Sequence, residues 1–310
     1  MPSSWMPSTD KLPTSLHQLY IGTVETAENR AMAERRWEEL NFDCLVSIFS
    51  KLGLEDLTTG VPLVCKSWHV ASLDPQCWKT LDFHDLDFTS NSKCIARFKQ
   101  EYGIPNFSFA SFMKLSISRS HGSAVKLSIP STISSPLHQD LILASIECPR
   151  LKELALPTLL RQDDRQIPGL MARWKDLEIL EMKWKPLYFL ELVEEIRANC
   201  PKFTGFHLCG YFDGKDAKAI VECLPKLRSL NMSGSFVKRD DLVMILEGCR
   251  ELQDVDVSRC RGFDAEDEIL KKASSGIKKF VCEGSKVQEN YVTSYCNYAN
   301  LFSAFIFGDY

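Results

Sequence analysis

The chain has no apolar run approaching the roughly 18 residues that a membrane-spanning helix needs. Its first 30 residues lack the apolar core of a secretory signal. We therefore expect no membrane partner, and reduced thiols in the cytoplasm or the nucleus. None of the twelve cysteines forms a C-x-x-C pair, so zinc-ribbon and thioredoxin-like readings lack their spacing. The six histidines form no ligand spacing with one another or with the cysteines, and no metal is expected. Charge of one sign is also missing: 37 basic residues face 41 acidic ones, a net charge of −4. Nothing in that balance favours nucleic acid or a membrane surface. There is no glycine-rich phosphate loop and no readable Cys-His or Ser-His-Asp constellation. The expectation is a non-catalytic chain with no cofactor. Its 310 residues, 45% apolar, suffice for one elongated domain and one small one.

What is present is a repeat. The spacing L-x-x-L-x-L occurs at Leu151/Leu154/Leu156, Leu177/Leu180/Met182, Phe203/Phe206/Leu208, Leu227/Leu230/Met232, Leu252/Val255/Val257 and Ile277/Phe280/Cys282. The steps between units are 26, 26, 24, 25 and 25 residues, and all eighteen positions are apolar. Chance would produce that roughly once in a million trials in a chain of this composition. Seven residues before each first anchor stand Ala144, Leu170, Ile196, Ile220, Ile245 and Leu270. Ten before stand Leu141, Ile167, Val193, Ala217 and Leu242, with Asp267 breaking the column. Columns three or four apart are helical spacing, whereas the anchors alternate like a strand. Each unit therefore predicts one amphipathic helix, a connector and one short strand, and neighbours must stack to bury either face. A seventh unit fits upstream at Ala124/Leu127/Ile129. Before it, residues 109–120 suit a helix stopped by Gly122, although the Leu115/Ile117 alternation also permits a strand.

With Cys148-Pro149-Arg150-Leu151 and Cys200-Pro201-Lys202-Phe203 at the helix-to-strand corners, the array resembles the cysteine-containing leucine-rich repeats. Cys148, Cys200 and Cys249 read as small buried hydrophobes at a tight corner.

Residues 36–83 have a different texture. Leu45, Ile48, Phe49 and Leu52 fall on one helical stripe that Gly53 ends. Asp56 can start a second helix with Leu57 and Val61 inward, and Pro62 suits the first turn of a third that carries Val64, Cys65 and Trp68. Three short helices make a small core, so part of the apolar surface needs a partner. The ordered blocks are L-x-x-x-x-L-x-x-I-F-x-x-L from Leu40, then Asp56-Leu57, V-C-K-x-W at Val64 to Trp68, and W-K-x-L-D from Trp78. Together they resemble the F-box, by which substrate receptors dock on the Skp-type adaptor of cullin–RING ubiquitin ligases. The Trp37-Glu38-Glu39-Leu40 opening is similar to the group common in plants. That resemblance implies adaptor contacts from Leu40, Asn41, Leu45, Ile48, Phe49, Leu52, Leu57, Val64, Cys65, Trp68 and Trp78. The family usually has proline where this chain has Asn41; Asn41 can instead serve as N-cap, with Asp43 favourable at the helix start.

The expected architecture is α/β: a short three-helix F-box followed by a leucine-rich-repeat solenoid with parallel strands inside and helices outside. Residues 1–34 read as a disordered extension, 35–83 as the F-box, 84–109 as a helical linker, 110–284 as the repeats and 285–310 as an aromatic capping helix. The last assignment rests on Tyr291, Tyr295, Tyr298, Phe302 and Phe305, spaced 4, 3, 4 and 3, with a docking helix for another protein as the alternative. Met32-Ala33-Glu34 looks like a protein start, so the first 31 residues are expected to derive from an upstream start or an altered gene model.

Residues between the anchors face the concave sheet. The candidate target-binding strip is Glu181, Lys183, His207, Asn231, Asp254 and Asp256, acidic at one end and without an Arg/Lys cluster. At about 4.8 Å per strand, six strands make a strip roughly 25 Å long, suited to a protein segment. The convex helices are the alternative face. The resemblance implies a substrate-recognition subunit of a Skp–cullin–F-box ligase; a repeat scaffold without ligase association is the second reading.

Overall fold

The computed structural model describes residues 37–287 apart from 85, 90, 91, 132, 134 and 135. The expected N-terminal extension, the start at Met32 and the aromatic stripe from Tyr291 to Phe305 lie outside the described residues. Two units are distinguished, Met1–Leu40 and Asn41–Tyr310. Of the first, the described part is a single 3-10 turn, Trp37–Glu39, closed by the Leu40 N–H on the Trp37 carbonyl.

The second unit opens with α1 (Phe42–Phe49). Asn41 caps it: its backbone is extended and its side chain accepts the Asp43 N–H at 2.9 Å, one of the orphan donors of a first turn. The second predicted helix is a single π turn, Asp56–Gly60. Thr58 Oγ1 donates to the Leu54 and Glu55 carbonyls and Thr59 Oγ1 to that of Glu55, hydroxyls that insert into the ladder and widen it. A 3-10 turn at Val61–Leu63 follows, and α2 (Lys66–Ser72) begins only after extended Cys65, so Val64 and Cys65 precede the third helix instead of lying on it.

One eight-stranded parallel sheet forms the rest of the core. In chain order it comprises β1 (Thr80–Asp82), β2 (Lys126–Ser128), β3 (Glu153–Leu156), β4 (Ile179–Met182), β5 (Gly205–Leu208), β7 (Ser229–Asn231), β9 (Asp254–Asp256) and β10 (Lys279–Val281). Each strand pairs with its neighbours in the order they occur in the chain. β6 (Tyr211–Phe212) and β8 (Phe236–Val237) make a second, two-stranded ladder. Every strand of the main sheet is followed by helical structure before the next, as a parallel crossover requires: α3 (Lys93–Tyr102) and α4 (Phe109–Ser120) before β2, then α5 (His138–Glu147). The α6 (Arg161–Asp164) and α7 (Ile167–Leu170) turns precede β4, and α8 (Phe189–Asn199), α9 (Gly214–Cys223), α10 (Arg239–Gly248) and α11 (Glu268–Ala273) complete the series.

The anchor columns fill the interior. Leu127, Leu154, Leu180, Phe206, Leu230 and Val255 are buried, and so are Ala144, Ile196, Ile220 and Ile245 from the helices. At about 1.5–3 kcal/mol for each fully buried aliphatic or aromatic side chain, this stacking is the main source of stability. Residues 109–120 are helical, not extended, and His121 and Gly122 at positive φ end the helix.

Two features differ from the predicted pattern. First, the sheet starts one strand earlier: β1 lies inside the block assigned to the F-box, and Trp78/Leu81/Phe83 already has the anchor spacing, with all three side chains buried. It falls outside the repeat period because α3 and the preceding loop stretch the step to the next unit. Second, the helix of the β3–β4 unit is broken into α6, α7 and a 3-10 turn (Met171–Arg173), where Pro168 and Gly169 disfavour a continuous helix.

Aspartates clasp consecutive repeats. The N-cap of α5, Leu137, has no capping side chain; the buried Asp163 carboxylate of the next unit accepts the Leu137 and His138 N–H groups at 3.1 and 3.0 Å. Asp164 accepts the Leu187 N–H at 2.7 Å one repeat further on.

Candidate protein-interaction surfaces

The F-box residues divide by burial. Leu45, Phe49, Leu57 and Trp78 are core, between 0% and 2% exposed, and support the module from within. Named as contacts by the resemblance, they are placed here in the interior and not on the open surface of the module. Phe49 meets Trp68 edge-on with centroids 5.2 Å apart, joining α1 to α2. Leu40, Leu52, Cys65 and Trp68 are half-buried, and Asn41 is exposed at its capping position. Ile48 and Val64 are the apolar predicted contacts that stand open, at 44% and 61% exposure. Sequence reasoning missed Phe42, Leu63, Val70 and Leu73, which are also exposed large apolar side chains. Their signal was present: in α2 the buried positions are Ala71 and Ser72, so Val70 lies off the inward face.

The module is continuous with the repeats. Trp78 Nε1–H donates to the Ser72 carbonyl at 2.8 Å, and the Arg119 guanidinium of α4 lies 5.0 Å above its ring. Tyr102 of α3 donates its hydroxyl to the Thr58 carbonyl at 2.8 Å. β1 then pairs with β2 from Thr80↔Lys126 to Asp82↔Ser128.

On the open face of the sheet, register brings most of the predicted strip together. Glu181, His207, Asn231 and Asp256 are direct partners across β4, β5, β7 and β9, and Asp254 stands in the neighbouring row beside Ser229. Lys183 follows the end of β4. Not all six are available to a partner. Asn231 and Asp256 each fold back on the chain, accepting the N–H of Ser233 and of Ser258 at 2.9 Å. His207 Nε2 is 2.9 Å from Ser229 Oγ, while Glu181, Lys183 and Asp254 are exposed. The same face carries a cavity of about 500 Å³ at its β1 end, lined by Asp82, His84, Lys126, Ser128, Glu181 and Lys183. Within it Lys126 Nζ pairs with Asp82 at 3.2 Å. Asp82 was absent from the predicted strip because β1 had not been read as a repeat strand; Lys126 belongs to the Ala124/Leu127/Ile129 unit, whose outward residues the strip did not include.

Burial pushes the Cys148 and Cys249 thiols up to about 11 and that of Cys200 to about 12. That direction is opposite to what activates a nucleophile. Cys200 Sγ instead lies 3.5 Å from the Trp174 carbonyl, at the turn into β4 in the preceding repeat. Among the described residues no group of three or more His, Cys, Asp or Glu is placed to hold a metal ion, and no helix is long and apolar enough to cross a membrane.

Comparison with known proteins bears on both surfaces. The F-box-like family model matches residues 42–84, the span from α1 through β1. An F-box/LRR-repeat protein of Arabidopsis thaliana is 32% identical over 237 residues, covering 76% of this chain and 74% of that one. Putative F-box/LRR-repeat protein 23 of the same plant is 26% identical over 80% of this chain, which spans only 53% of that protein's length. The F-box protein FBW2, also from Arabidopsis thaliana, is 26% identical over 79% of this chain and 74% of its own. An F-box-like module whose last strand opens a stacked parallel sheet, and a relative similar across both parts, have one reading: the chain belongs to the F-box/LRR-repeat family of plant-type substrate adaptors.

Proposed function

We propose that the chain is the substrate-recognition subunit of a Skp–cullin–F-box ubiquitin ligase. The observation that carries this is the exposed apolar set of the F-box: Phe42, Ile48, Leu63, Val64, Val70 and Leu73, each between 37% and 61% exposed within one short stretch of chain. Scattered exposed leucines are ordinary, but six large apolar side chains on so small a module are what a docking face for the Skp-type adaptor requires. The adaptor would join the chain to a cullin–RING ligase, while the repeats hold the target protein. Proximity then does the work: target lysines meet the charged ubiquitin-conjugating enzyme at high effective concentration, and the chain itself supplies no nucleophile. The eleven described cysteines are free thiols, which supports work in the cytoplasm or the nucleus.

Retention on purified, immobilised Skp-type adaptor tests the reading. Wild type should be retained, and Ile48→Asp and Val64→Asp should weaken retention at least about tenfold with an unchanged thermal melt. Failure of wild type to bind, or undiminished binding by both variants, would leave a repeat scaffold without ligase association.

A further inference from the structure

Away from the F-box and the strip, exposed apolar side chains gather where the central strands hand over to the following segments. Trp184 is 40% exposed, Leu187 69% and Tyr211 43%. The second ladder organises this rim. Tyr211 pairs with Phe236, Phe236 with Arg261, and Arg261 with Lys286, so four successive repeats contribute one residue each to a single row. Phe212 and Val237, the next residues along β6 and β8, are fully buried, and alternation turns Tyr211 and Phe236 outward. Their rings stack with centroids 5.0 Å apart and planes 7° from parallel. Trp184 adjoins the start of the row: the N–H of Lys185, the next residue, donates to the Cys209 carbonyl, and the Phe236 N–H donates to that of Gly210.

The row thus runs aromatic, aromatic, guanidinium, ammonium. Flat rings accept a bulky apolar side chain, and Arg and Lys accept carboxylates. At about 4.8 Å per rung the row is roughly 15 Å long, the reach of four to five residues of extended chain. The strip on the open face offers the reverse chemistry, since the row Glu181, His207, Asn231, Asp256 contains no lysine or arginine. We propose that the Tyr211–Phe236–Arg261–Lys286 rim, with Trp184 beside it, docks an extended acidic segment of a target protein that carries a bulky apolar residue. This rests on the reading of the repeats as the target-binding part.

Selection of a displayed library of random peptides, about twelve residues long, on the purified full chain tests it. Peptides rich in Asp and Glu beside Phe, Trp or Leu should be enriched. The variants Arg261→Glu/Lys286→Glu and Tyr211→Ala/Phe236→Ala should each lose them at least about tenfold, while Asp254→Lys in the strip retains them. Affinity of the best peptide for wild type should fall as salt is raised, a readout independent of any variant's folding. Equal recovery on the rim variants, enrichment of basic peptides, loss on Asp254→Lys alone, or salt-insensitive binding would each overturn the rim. Adaptor retention is scored separately. A chain that binds adaptor but shows no rim-dependent peptides loses the rim alone; one that shows them without binding adaptor keeps the rim and loses the ligase reading.

Discussion

The Trp78 indole N–H reaches the Ser72 carbonyl at 2.8 Å in a site with no solvent exposure. Trp78 therefore closes α2 from one side and begins the anchor pattern of β1 from the other. Trp78→Phe keeps most of the ring but leaves the Ser72 carbonyl buried without its donor, which costs about 1–3 kcal/mol. Chemical denaturation should show that loss as a lower midpoint in a transition reported alike by F-box and repeat probes. Separate transitions for the two parts would contradict the shared core.

Burial raises the Asp164 carboxyl above its usual range, and the hydrogen bond from the Leu187 N–H opposes that only in part. A carboxyl that protonates more readily folded than unfolded costs stability above its folded pKa and regains it as pH falls towards the unfolded value. Asp164→Asn keeps an acceptor for Leu187 without the buried charge. It should melt at or above the wild-type temperature at pH 7, and the difference should shrink by about pH 4. A variant markedly less stable than wild type at pH 7 contradicts this account.

Gly262 has φ +106, and a Cβ built on it would lie 2.4 Å from the Val237 carbonyl oxygen. The close approach lets Arg261 bridge to Phe236. Gly262→Ala should destabilise by about 1–3 kcal/mol and raise amide exchange first in the second ladder, at Val237 and Arg261. Exchange unchanged at those amides would show that the strain is relieved elsewhere.

Thiol labelling should separate the cysteines by exposure. Cys44 on α1 is exposed, whereas Cys200 and Cys260 are buried with thiols pushed up to about 12. At neutral pH, iodoacetamide followed by peptide mass spectrometry should modify Cys44 in the folded chain and reach Cys200 and Cys260 only after denaturant is added. Rapid modification of Cys200 in the native chain would mean that its corner opens.

The sheet was legible in the sequence wherever the period held, because a strand anchor that must be buried cannot be polar. Leu154, Leu180, Phe206, Leu230 and Val255 were found from spacing alone and are the buried centres of their strands. Leu81 obeys the same rule, but an inserted helix displaced it from the period, and with it went Asp82. Contact residues were less legible, since a stripe at helical spacing marks what faces inward. Leu45 and Phe49 were named as adaptor contacts by the F-box resemblance, yet they lie in the core; Phe42, at the first turn of α1, and Val70 and Leu73, at the end of α2, are the ones left outside. The Asp163 clasp on Leu137 and His138 could not be read at all, because it depends on which repeat lies next to which.

The pairing of β1 with β2 sets an origin for distance. Because the F-box ends as the first rung of the sheet, every later rung is indexed from it, at about 4.8 Å each. A site on β9 stands six rungs away along β1-β2-β3-β4-β5-β7-β9. Gaining or losing one repeat between them would move that site by one rung while leaving its chemistry untouched. Repeat number is thus a setting for reach, inherited in whole steps, and independent of the residues that choose the partner.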